Sequence, residues 1–334
     1  MVDLSSHRLK HYLEQLEGAE IAVVGDVMLD RYFWGNVHRV SPEAPVPVVD
    51  VDRETAHLGG AANVATNLAG LGARPLLIGA IGDDENGVRV RELCEAAGLA
   101  SDFLTVARDR PTTTKTRIIG NNQQIARVDQ ESREYVDSAF AASIFSHIAS
   151  RDHIRGIILE DYDKGLLSPQ LIQQITAFAH ERKVPVFVDP KRRQFFDFRQ
   201  CTVFKPNRKE VTDAVGIPLR HMDDVERIGR ELLTRLDCES VLITLGAEGM
   251  MLLERNGAAQ TVPTRARKVA DVSGAGDTTI ATLSAMVCAG APIPEAAVIA
   301  NVAAGYVVGE PGIVAIDRSI LLQCVNDLNE GATS

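Results

Sequence analysis

The sequence predicts an α/β protein with a mostly parallel central sheet, helices on both faces of that sheet, and a small β-lid. Three observations support this prediction. Continuous apolar runs, which are typical of strands covered on both faces, recur along the chain. Stretches with helical spacing separate most of these runs, and two further segments break the alternation.

The elements follow one another in a regular order. The chain begins with helical spacing at residues 9–16, and the first apolar run covers residues 21–26. Later runs that predict strands cover residues 75–81, 156–159, 185–189, 202–205 and 241–245. The helical stretches between them cover residues 61–71, 87–97, 169–183 and 223–235. A helix between two strands lets the chain return and pair them in parallel, so the order favours a parallel sheet.

Two segments, residues 31–57 and 108–131, interrupt this order. The first holds Pro42, Pro45 and Pro47 beside an alternating strand pattern, and the second contains two alternating stretches without a helix between them. Both predict half-exposed antiparallel strands. We therefore expect residues 1–334 to form a single domain, with the β-lid built from these two insertions.

Composition excludes several classes of protein. The 334 residues include 45 acidic and 35 basic side chains, for a net charge of −10, which argues against a nucleic-acid partner. An apolar share of 45% and a charged share of 24% are typical of a folded soluble chain. Five separated cysteines without a CxxC pair indicate neither a disulfide framework nor a zinc site. With no recognisable leader or membrane span, we expect a cytoplasmic protein.

The strongest chemical motif is Asp271-Val272-Ser273-Gly274-Ala275-Gly276-Asp277, which precedes a helix of small residues. Small residues before a helix let backbone N–H groups converge on an anion, and the helix dipole adds positive charge. Asp277 on the first turn would then lie beside a bound phosphate, where it could take a proton from an attacking hydroxyl. The alternative is a glycine turn in which Asp277 only caps the helix.

A second glycine site, Gly59-Gly60, also opens a helix and is followed by Asn63. Paired glycines permit close approach of a ligand, and the Asn63 amide can bond sugar hydroxyls; a simple capped turn is the alternative. Asp30 and Asp161 each follow an apolar run, at the sheet edge where ligands bind in open α/β folds. A solvated loop position is the alternative for both.

Several cations stand out in this acidic chain. Lys191, Arg192 and Arg193 follow a predicted strand, and Lys164 follows Asp161. Lys115 and Arg117 alternate onto one face of the predicted lid. Such groups suit an anionic substrate. We hypothesise that Lys191 and Arg192, with Lys115 or Arg117, hold a substrate phosphate; a solvated basic turn is the alternative.

A third group of motifs indicates a nucleotide site. Asn207 and Glu210 lie one helical turn apart at a strand end, where both could reach a Mg²⁺-bound phosphate or its waters. Thr244, Gly246 and Gly249 end another strand with a backbone open to a nucleotide. The chain has neither the GxxxxGK[ST] spacing of a P-loop nor a GxGxxG after its first strand.

In the order of Asp30, the Gly59-Gly60 site with Asn63, the Asn207–Glu210 pair and the 271–277 box, the chain resembles the ribokinase family of PfkB-type carbohydrate kinases. The resemblance covers nearly the whole chain. Its most specific element is the DxxGAGD box, in which Ser273 stands where Thr is usual and keeps the hydroxyl.

The resemblance implies a ribokinase-like fold and ATP-dependent phosphorylation of a sugar hydroxyl. It makes Asp277 the catalytic base and the amides of Gly274, Ala275 and Gly276 an anion hole. The sugar site is then Asp30, Gly59, Gly60, Asn63 and Asp161. The Mg-ATP site comprises Asn207, Glu210, Thr244, Gly246, Gly249 and Asn301, with Glu210 reaching Mg²⁺ through water.

Two further implications concern K⁺ and assembly. Members of the family often bind K⁺ beside the anion hole, which here involves Asp271, Ser273 and the 308–312 loop. The lid in this family closes over the sugar and commonly forms a dimer contact, so we expect a homodimer. The substrates are expected to be ATP and a sugar phosphate, and no second catalytic domain is expected. Two readings stay open: a sugar kinase with a fructose-like substrate, and a non-catalytic sugar sensor, which would not need the intact motifs.

Overall fold

The computed structural model describes residues 5–264 and 269–331. The strands are β1 (Glu20–Gly25), β2 (Val27–Val40), β3 (Pro47–Gly60), β4 (Arg74–Gly82), β5 (Leu104–Ala107), β6 (Thr114–Gly120), β7 (Gln123–Gln130), β8 (Gly156–Glu160), β9 (Val186–Asp189), β10 (Val203–Phe204), β11 (Ser240–Thr244), β12 (Met250–Glu254) and β13 (Gln260–Val262). The helices are α1 (Ser6–Leu16), α2 (Ala61–Gly70), α3 (Glu85–Ala96), α4 (Ser138–Ala149), α5 (Pro169–Arg182), α6 (Arg208–Val215), α7 (Met222–Leu236), α8 (Ala275–Cys288), α9 (Ile293–Val307) and α10 (Arg318–Gly331).

The main sheet has nine strands in the order β13-β12-β11-β10-β9-β8-β1-β4-β5. All neighbours from β11 to β5 pair in parallel, as the sequence predicts. The pairs β11–β12 and β12–β13 are antiparallel, and the sequence analysis does not predict this edge. Antiparallel neighbours need only a short turn between them, so the sequence contains no crossover helix that would mark these strands.

Helices cover both faces of the main sheet. One apolar core contains buried residues of α1, α2, α3, α8, α9 and α10, and the other contains those of α4, α5, α6 and α7. Within residues 5–264 and 269–331, no helix is both long and apolar enough to cross a membrane.

A second sheet has four strands in the order β3-β2-β6-β7. The hairpins β2–β3 and β6–β7 are antiparallel as predicted. The first strands of the two hairpins, β2 and β6, lie side by side at the centre of the sheet and pair in parallel. The strands of the first hairpin begin at Val27 and end at Gly60, outside the predicted bounds of 31–57. Asp30, Gly59 and Gly60 therefore lie in this small sheet.

The fold brings four chain segments to one place. Strands β1, β8 and β9 are neighbours, so their carboxyl ends at Gly25, Glu160 and Asp189 share one edge of the main sheet. Helix α8 begins above this edge and contacts both β8 and β9. The start of the small sheet follows β1 directly. This meeting point is the expected ligand position in an open α/β sheet.

Candidate active site

Asp277 lies at the centre of the meeting point. It is the third residue of α8 and is buried. Its Oδ2 accepts a hydrogen bond of 2.7 Å from Asn63 Nδ2, and its Oδ1 accepts one of 2.8 Å from the Tyr162 hydroxyl. Helix α2, strand-end residue Tyr162 and helix α8 thus orient one carboxylate. Burial raises the pKa of Asp277, while the hydrogen bonds from Asn63 and Tyr162 oppose that rise.

The turn before Asp277 has the conformation that an anion-binding helix start requires. Gly274 caps α8 with a φ of 80°, which favours glycine, and a Cβ there would lie 3.0 Å from Asn63 Nδ2. The Ala275 N–H points back at Val272 O over 3.4 Å. The first turn of a helix presents N–H groups and positive dipole charge to an anion. The predicted anion hole, with Gly276 on the same turn, therefore lies beside the Asp277 carboxylate.

Tyr162 is a part of this site that the sequence analysis missed. Burial and then the nearby Asp277 raise the pKa of its phenol well above the usual value, so the hydroxyl stays a donor. The Lys115 and Lys191 nitrogens lie 5.1 Å and 4.8 Å from the centre of its ring. The available signal was its position directly after Asp161 at the end of β8. Tyr162 links the small sheet, the main sheet and the Asp277 carboxylate.

Two aspartates hold the loop that carries Tyr162. Asp26, which the sequence analysis did not select, is buried and accepts the backbone N–H of Tyr162 at 2.8 Å and that of Lys164 at 3.0 Å. Asp161 accepts the backbone N–H groups of Asp163 and Lys191. Burial, followed by repulsion from Asp26, raises the pKa of Asp161 to about 7. Asp161 is thus buried with its oxygens engaged by backbone N–H groups, and its contact with a sugar stays a prediction.

The predicted sugar residues of the small sheet meet in one layer. Asp30 is buried and pairs with the Arg117 guanidinium, which also lies 5.0 Å from the Tyr32 ring centre. A Cβ on Gly59 would lie 2.2 Å from Asp30 Oδ2, so only glycine leaves room for that carboxylate. Gly60, with a φ of 58°, makes the turn into α2 and brings Asn63 to Asp277. These residues share one wall of the site.

The predicted cationic side chains differ in their ion-pair partners and in their exposure. Lys164 pairs with Glu131 at 2.6 Å, Arg117 pairs with Asp30, and Arg192 is exposed. Lys191 pairs with Glu210 at 2.8 Å and with Asp189 at 3.4 Å. Lys115 contacts Met28 Sδ and the Tyr162 ring, and its ammonium has no ion-pair partner among the described residues. Burial lowers the pKa of Lys115.

The Asn207–Glu210 pair forms a capping box at the start of α6. Asn207 Oδ1 accepts the Glu210 N–H, and Glu210 Oε2 accepts the Asn207 N–H. Glu210 Oε1 lies 2.8 Å from Lys191 Nζ. The helix start and Lys191 therefore engage the side-chain oxygens of this pair, and its role at a Mg²⁺-bound phosphate stays a prediction.

The other predicted nucleotide residues differ in whether a ligand could approach them. Thr244, at the end of β11, pairs with Asn207 in an isolated parallel β-bridge. Gly246 has open space where a Cβ would be, whereas a Cβ on Gly249 would lie 2.1 Å from Val262 O. Asn301 is buried and donates to Pro263 O at 2.7 Å. Of the two glycines, only Gly246 has backbone that a ligand could approach, since Gly249 packs against the end of β13.

The predicted K⁺ residues lie near the start of α8. Asp271 Oδ1 accepts the Ser273 N–H, and Val308 O accepts the N–H groups of Ala270 and Asp271. The 271–273 segment and the start of the 308–312 loop are therefore in contact, and a K⁺ ion held by them stays a prediction.

Beneath the first turn of α8 lie three buried carboxylates, of Glu160, Asp189 and Asp277, with ligand oxygens within 4.8 Å of one another. Lys205, also buried, lies 2.8 Å from Asp189 Oδ2. Neither Glu160 oxygen has a hydrogen-bond partner among the described residues. Oxygen ligands of this kind fit Mg²⁺. The signal in the sequence was that Glu160 and Asp189 each stand at the end of an apolar run.

Comparison with known proteins identifies the family. Residues 19–318 match the profile of the pfkB family carbohydrate kinases. The chain belongs to this family of kinases. The kinase is 43% identical over 291 residues to the bifunctional protein HldE of Geobacter sulfurreducens, covering 87% of this chain and 59% of that protein. It is 41% identical over 313 residues to the HldE of Paramagnetospirillum magneticum, covering 93% of this chain and 64% of that protein. It thus spans less than two thirds of these curated relatives.

Solved structures share the fold of the kinase. Phosphofructokinase-2 from Escherichia coli in complex with potassium aligns with a TM-score of 0.76 at 16% identity, covering 94% of this chain and 99% of that one. Arabidopsis thaliana ribokinase complexed with ribose and ATP aligns with a TM-score of 0.72 at 18% identity, covering 92% and 99%. The ribokinase-like fold predicted from the sequence is confirmed.

Proposed function

We propose that this kinase transfers the γ-phosphoryl group of ATP to the C1 hydroxyl of D-glycero-β-D-manno-heptose 7-phosphate. The product is the 1,7-bisphosphate, a precursor of ADP-heptose for the inner core of lipopolysaccharide. The observation that carries the proposal is the buried Asp277 carboxylate beside the glycine turn of α8, in a chain 43% identical to an HldE protein. Residues 30–35, 39–48, 113–117 and 161–165 resemble the corresponding segments of heptose 7-phosphate kinases. Since ATP and sugar phosphates are cytoplasmic metabolites, we infer a cytoplasmic location.

In the proposed mechanism, Asp277 accepts the proton of the C1 hydroxyl as the oxygen attacks the γ-phosphorus and ADP leaves. Asn63 and Tyr162 hold the carboxylate in place during this step. The first turn of α8 stabilises the negative charge of the transferring group. Asp30 and Arg117, on the wall formed by the small sheet, bind the sugar.

Glu160, Asp189 and Glu210 are the carboxylates that would hold Mg²⁺, which when bound supplies positive charge to the phosphates. Asp271 and Ser273, beside the 308–312 loop, would hold K⁺. Asn207, Thr244, Gly246 and Asn301 are proposed to border the nucleotide.

Lys115 is the residue of the structure best suited to hold the phosphate that the sugar already carries. Among the selected cations, Lys164, Lys191 and Arg117 have carboxylate partners, and Arg192 is exposed. Lys115 is half-buried beside Tyr162 and forms no ion pair in residues 5–264 and 269–331. A partly desolvated ammonium gains most from an anion. We therefore narrow the earlier hypothesis from four cations to Lys115.

An assay of ADP release tests the substrate and Lys115 together. The panel comprises heptose 7-phosphate, fructose 6-phosphate, fructose and ribose. We expect heptose 7-phosphate to give the highest kcat/KM, and Lys115→Met to raise its KM at least about tenfold, since a bond to a charged group contributes roughly 1.5–3 kcal/mol. Lys10→Met, on the exposed face of α1, is the charge-matched control. A higher kcat/KM for a fructose substrate would support the alternative sugar kinase with a fructose-like substrate. Sugar binding without ADP release would indicate a non-catalytic sugar sensor.

Tyr162→Phe tests the orientation of the base. The change removes the hydrogen bond to Asp277 Oδ1 and keeps the ring that Lys115 and Lys191 contact. That bond favours the ionised carboxylate, so its loss raises the pKa of Asp277, whose neighbours Asp189 and Lys191 stay in place. Because the ionised base is active, we expect the acidic limb of kcat against pH to move to higher pH. The control is Tyr135→Phe, whose hydroxyl accepts a bond from Gln194 instead. An acidic limb that is unchanged, or that moves to lower pH, contradicts the role of Tyr162 in orienting Asp277 as the base.

We also propose that the small sheet forms a homodimer contact. On the face opposite Asp30 and Arg117, Phe33, Val49, Val51 and Ile118 line a groove of about 560 Å³. Val51 is 52% exposed and Val46 is also 52% exposed, so this face is apolar and open. Val51→Asp is expected to shift the protein from dimer to monomer in sedimentation, whereas Val88→Asp, at an exposed position on α3, leaves the dimer intact. A monomeric unmodified chain would refute this contact.

A further inference from the structure

The short segment between β7 and α4 connects the small sheet to the rest of the chain. Its first residue, Glu131, pairs with Lys164 at 2.6 Å, and the two side chains are only 13% and 11% exposed. Arg133 pairs with the same carboxylate from the solvent side. Burial acts to raise the pKa of Glu131, but Lys164 and then Arg133 lower it below its usual value, so the carboxylate is ionised. The Glu131–Lys164 pair is therefore a shielded charge contact between the small sheet and the loop that follows β8.

A second set of contacts ties the same segment to the same loop. The Val136 N–H donates to Gly165 O over 3.0 Å. A Cβ on Gly165, which has a φ of 84°, would lie 2.0 Å from Glu134 O, so only glycine permits this approach. Arg110, in the connection that precedes β6, also donates to Glu134 O. Both connections of the β6–β7 hairpin thus meet beside the loop after β8.

This loop is also the one that orients the proposed base. Asp26 Oδ2 accepts the backbone N–H groups of Tyr162 and Lys164, and the Tyr162 hydroxyl donates to Asp277 Oδ1. Asp163, between Tyr162 and Lys164, has a φ of 56°. Residues other than glycine keep such a conformation only where their surroundings hold it. Loss of the contact on the Lys164 side chain would let the loop relax and would displace Tyr162.

We propose that Glu131 is a positioning residue for the base, acting through Lys164 and Tyr162 on Asp277. The inference rests on the proposed function only in that Asp277 is the base. Glu131 directly follows the last strand of the small sheet, whose wall binds the sugar in the proposed mechanism. The ion pair therefore makes the position of the small sheet a condition for the correct orientation of the carboxylate that takes the proton.

A double-mutant cycle in kcat tests this route. Glu131→Gln and Tyr162→Phe are made separately and together, and ADP release is measured with the sugar of the panel that gives the highest kcat/KM. We expect Glu131→Gln alone to lower kcat about tenfold. In the Tyr162→Phe background it should lower kcat by less than about twofold, because the route to Asp277 is already interrupted. The sugar Kd, followed by fluorescence of the single tryptophan, Trp34 on β2, should stay within about twofold of that of the unmodified chain.

Hydrogen exchange provides a second readout that needs no substrate. Residues 161–166 should exchange at least about threefold faster in Glu131→Gln, since their N–H groups are held less firmly. Glu20→Gln is the matched control, because the Glu20 side chain is 17% exposed and pairs with Arg74 at the opposite end of β1. It should change neither kcat nor this exchange. Glu131→Asp, which keeps the charge on a shorter side chain, should give intermediate values of both.

Unchanged exchange of residues 161–166 in Glu131→Gln overturns the proposal, whatever the activity. Additive losses of kcat in the cycle also overturn it, because Glu131 would then act by another route. The same holds for a rise in the sugar Kd in place of a fall in kcat, which would assign this pair to substrate binding. Faster exchange in Glu131→Gln, with no ADP release by the unmodified chain from any sugar, would keep the coupling of Glu131 to the loop and refute the proposed function.

Discussion

Replacement of Asp277 by Asn should lower kcat by at least about 10³-fold while the protein stays folded. Asn has the shape of Asp but cannot accept the proton of the sugar hydroxyl. Its oxygen can still accept from Asn63, and its amide can donate to the Tyr162 hydroxyl, so both neighbours keep a partner. The loss should therefore appear in kcat more than in stability.

The measurement is single-turnover and steady-state ADP release with heptose 7-phosphate, beside a melting curve of each variant. Asp213→Asn is the matched control, since Asp213 lies on α6 in an exposed pair with Lys209. Full turnover by Asp277→Asn would eliminate this carboxylate as the base. A loss shared by Asp213→Asn would show that the effect is not local.

Lys205→Met should cause the largest loss of stability among these substitutions. The Lys205 and Asp189 side chains are 3% and 5% exposed and lie 2.8 Å apart. Removal of Lys205 leaves Asp189 with only Lys191, which lies 3.4 Å away and also pairs with Glu210. Breaking a buried pair in this way costs about 3–5 kcal/mol. We expect the free energy of unfolding to fall by this amount.

Urea unfolding in the presence of a chelator measures this loss apart from any bound cation. Lys209→Met is the control, because the Lys209 side chain is 82% exposed and its pair with Asp213 contributes about 0.3–0.5 kcal/mol. The double variant Lys205→Met/Asp189→Leu removes both charges and should recover part of the stability. A loss below about 1 kcal/mol for Lys205→Met alone would contradict the predicted cost.

The sequence predicted the elements that depend on local pattern. Apolar runs and helical spacing predicted the parallel strands and their crossover helices. Burial on both faces produces a continuous apolar run, and a helix produces a periodic one, so both can be recognised from neighbouring residues. The antiparallel edge of β12 and β13 and the parallel pairing of β2 with β6 were not predicted. The β12–β13 edge follows β11 through short turns, so no intervening α-helix marks it in the sequence. The pairing of β2 with β6 depends on which distant segments become neighbours, and hydrophobic period does not encode that.

For the site, the sequence selected residues by motif and position. Asp277, the glycines before it, and Asn63 were chosen from two separate motifs, and the structure brings them into contact. Tyr162, Asp26 and Glu160 were missed because no motif marks a phenol, a loop-holding aspartate or a buried glutamate at a strand end. Likewise, sequence reasoning treated Lys191 and Lys115 alike.

The sequence by itself determined the α/β class, the family resemblance and the Asp277 motif, since each depends on residue types at short spacing. Only the tertiary structure decided which charges are already paired. It shows that Lys191 pairs with Glu210, that Lys115 forms no ion pair within the described part of the chain, and that Glu160 lies among acids. The physical reason is that a buried charge is governed by neighbours within a few ångströms. In this fold those neighbours come from strands and helices far apart along the chain.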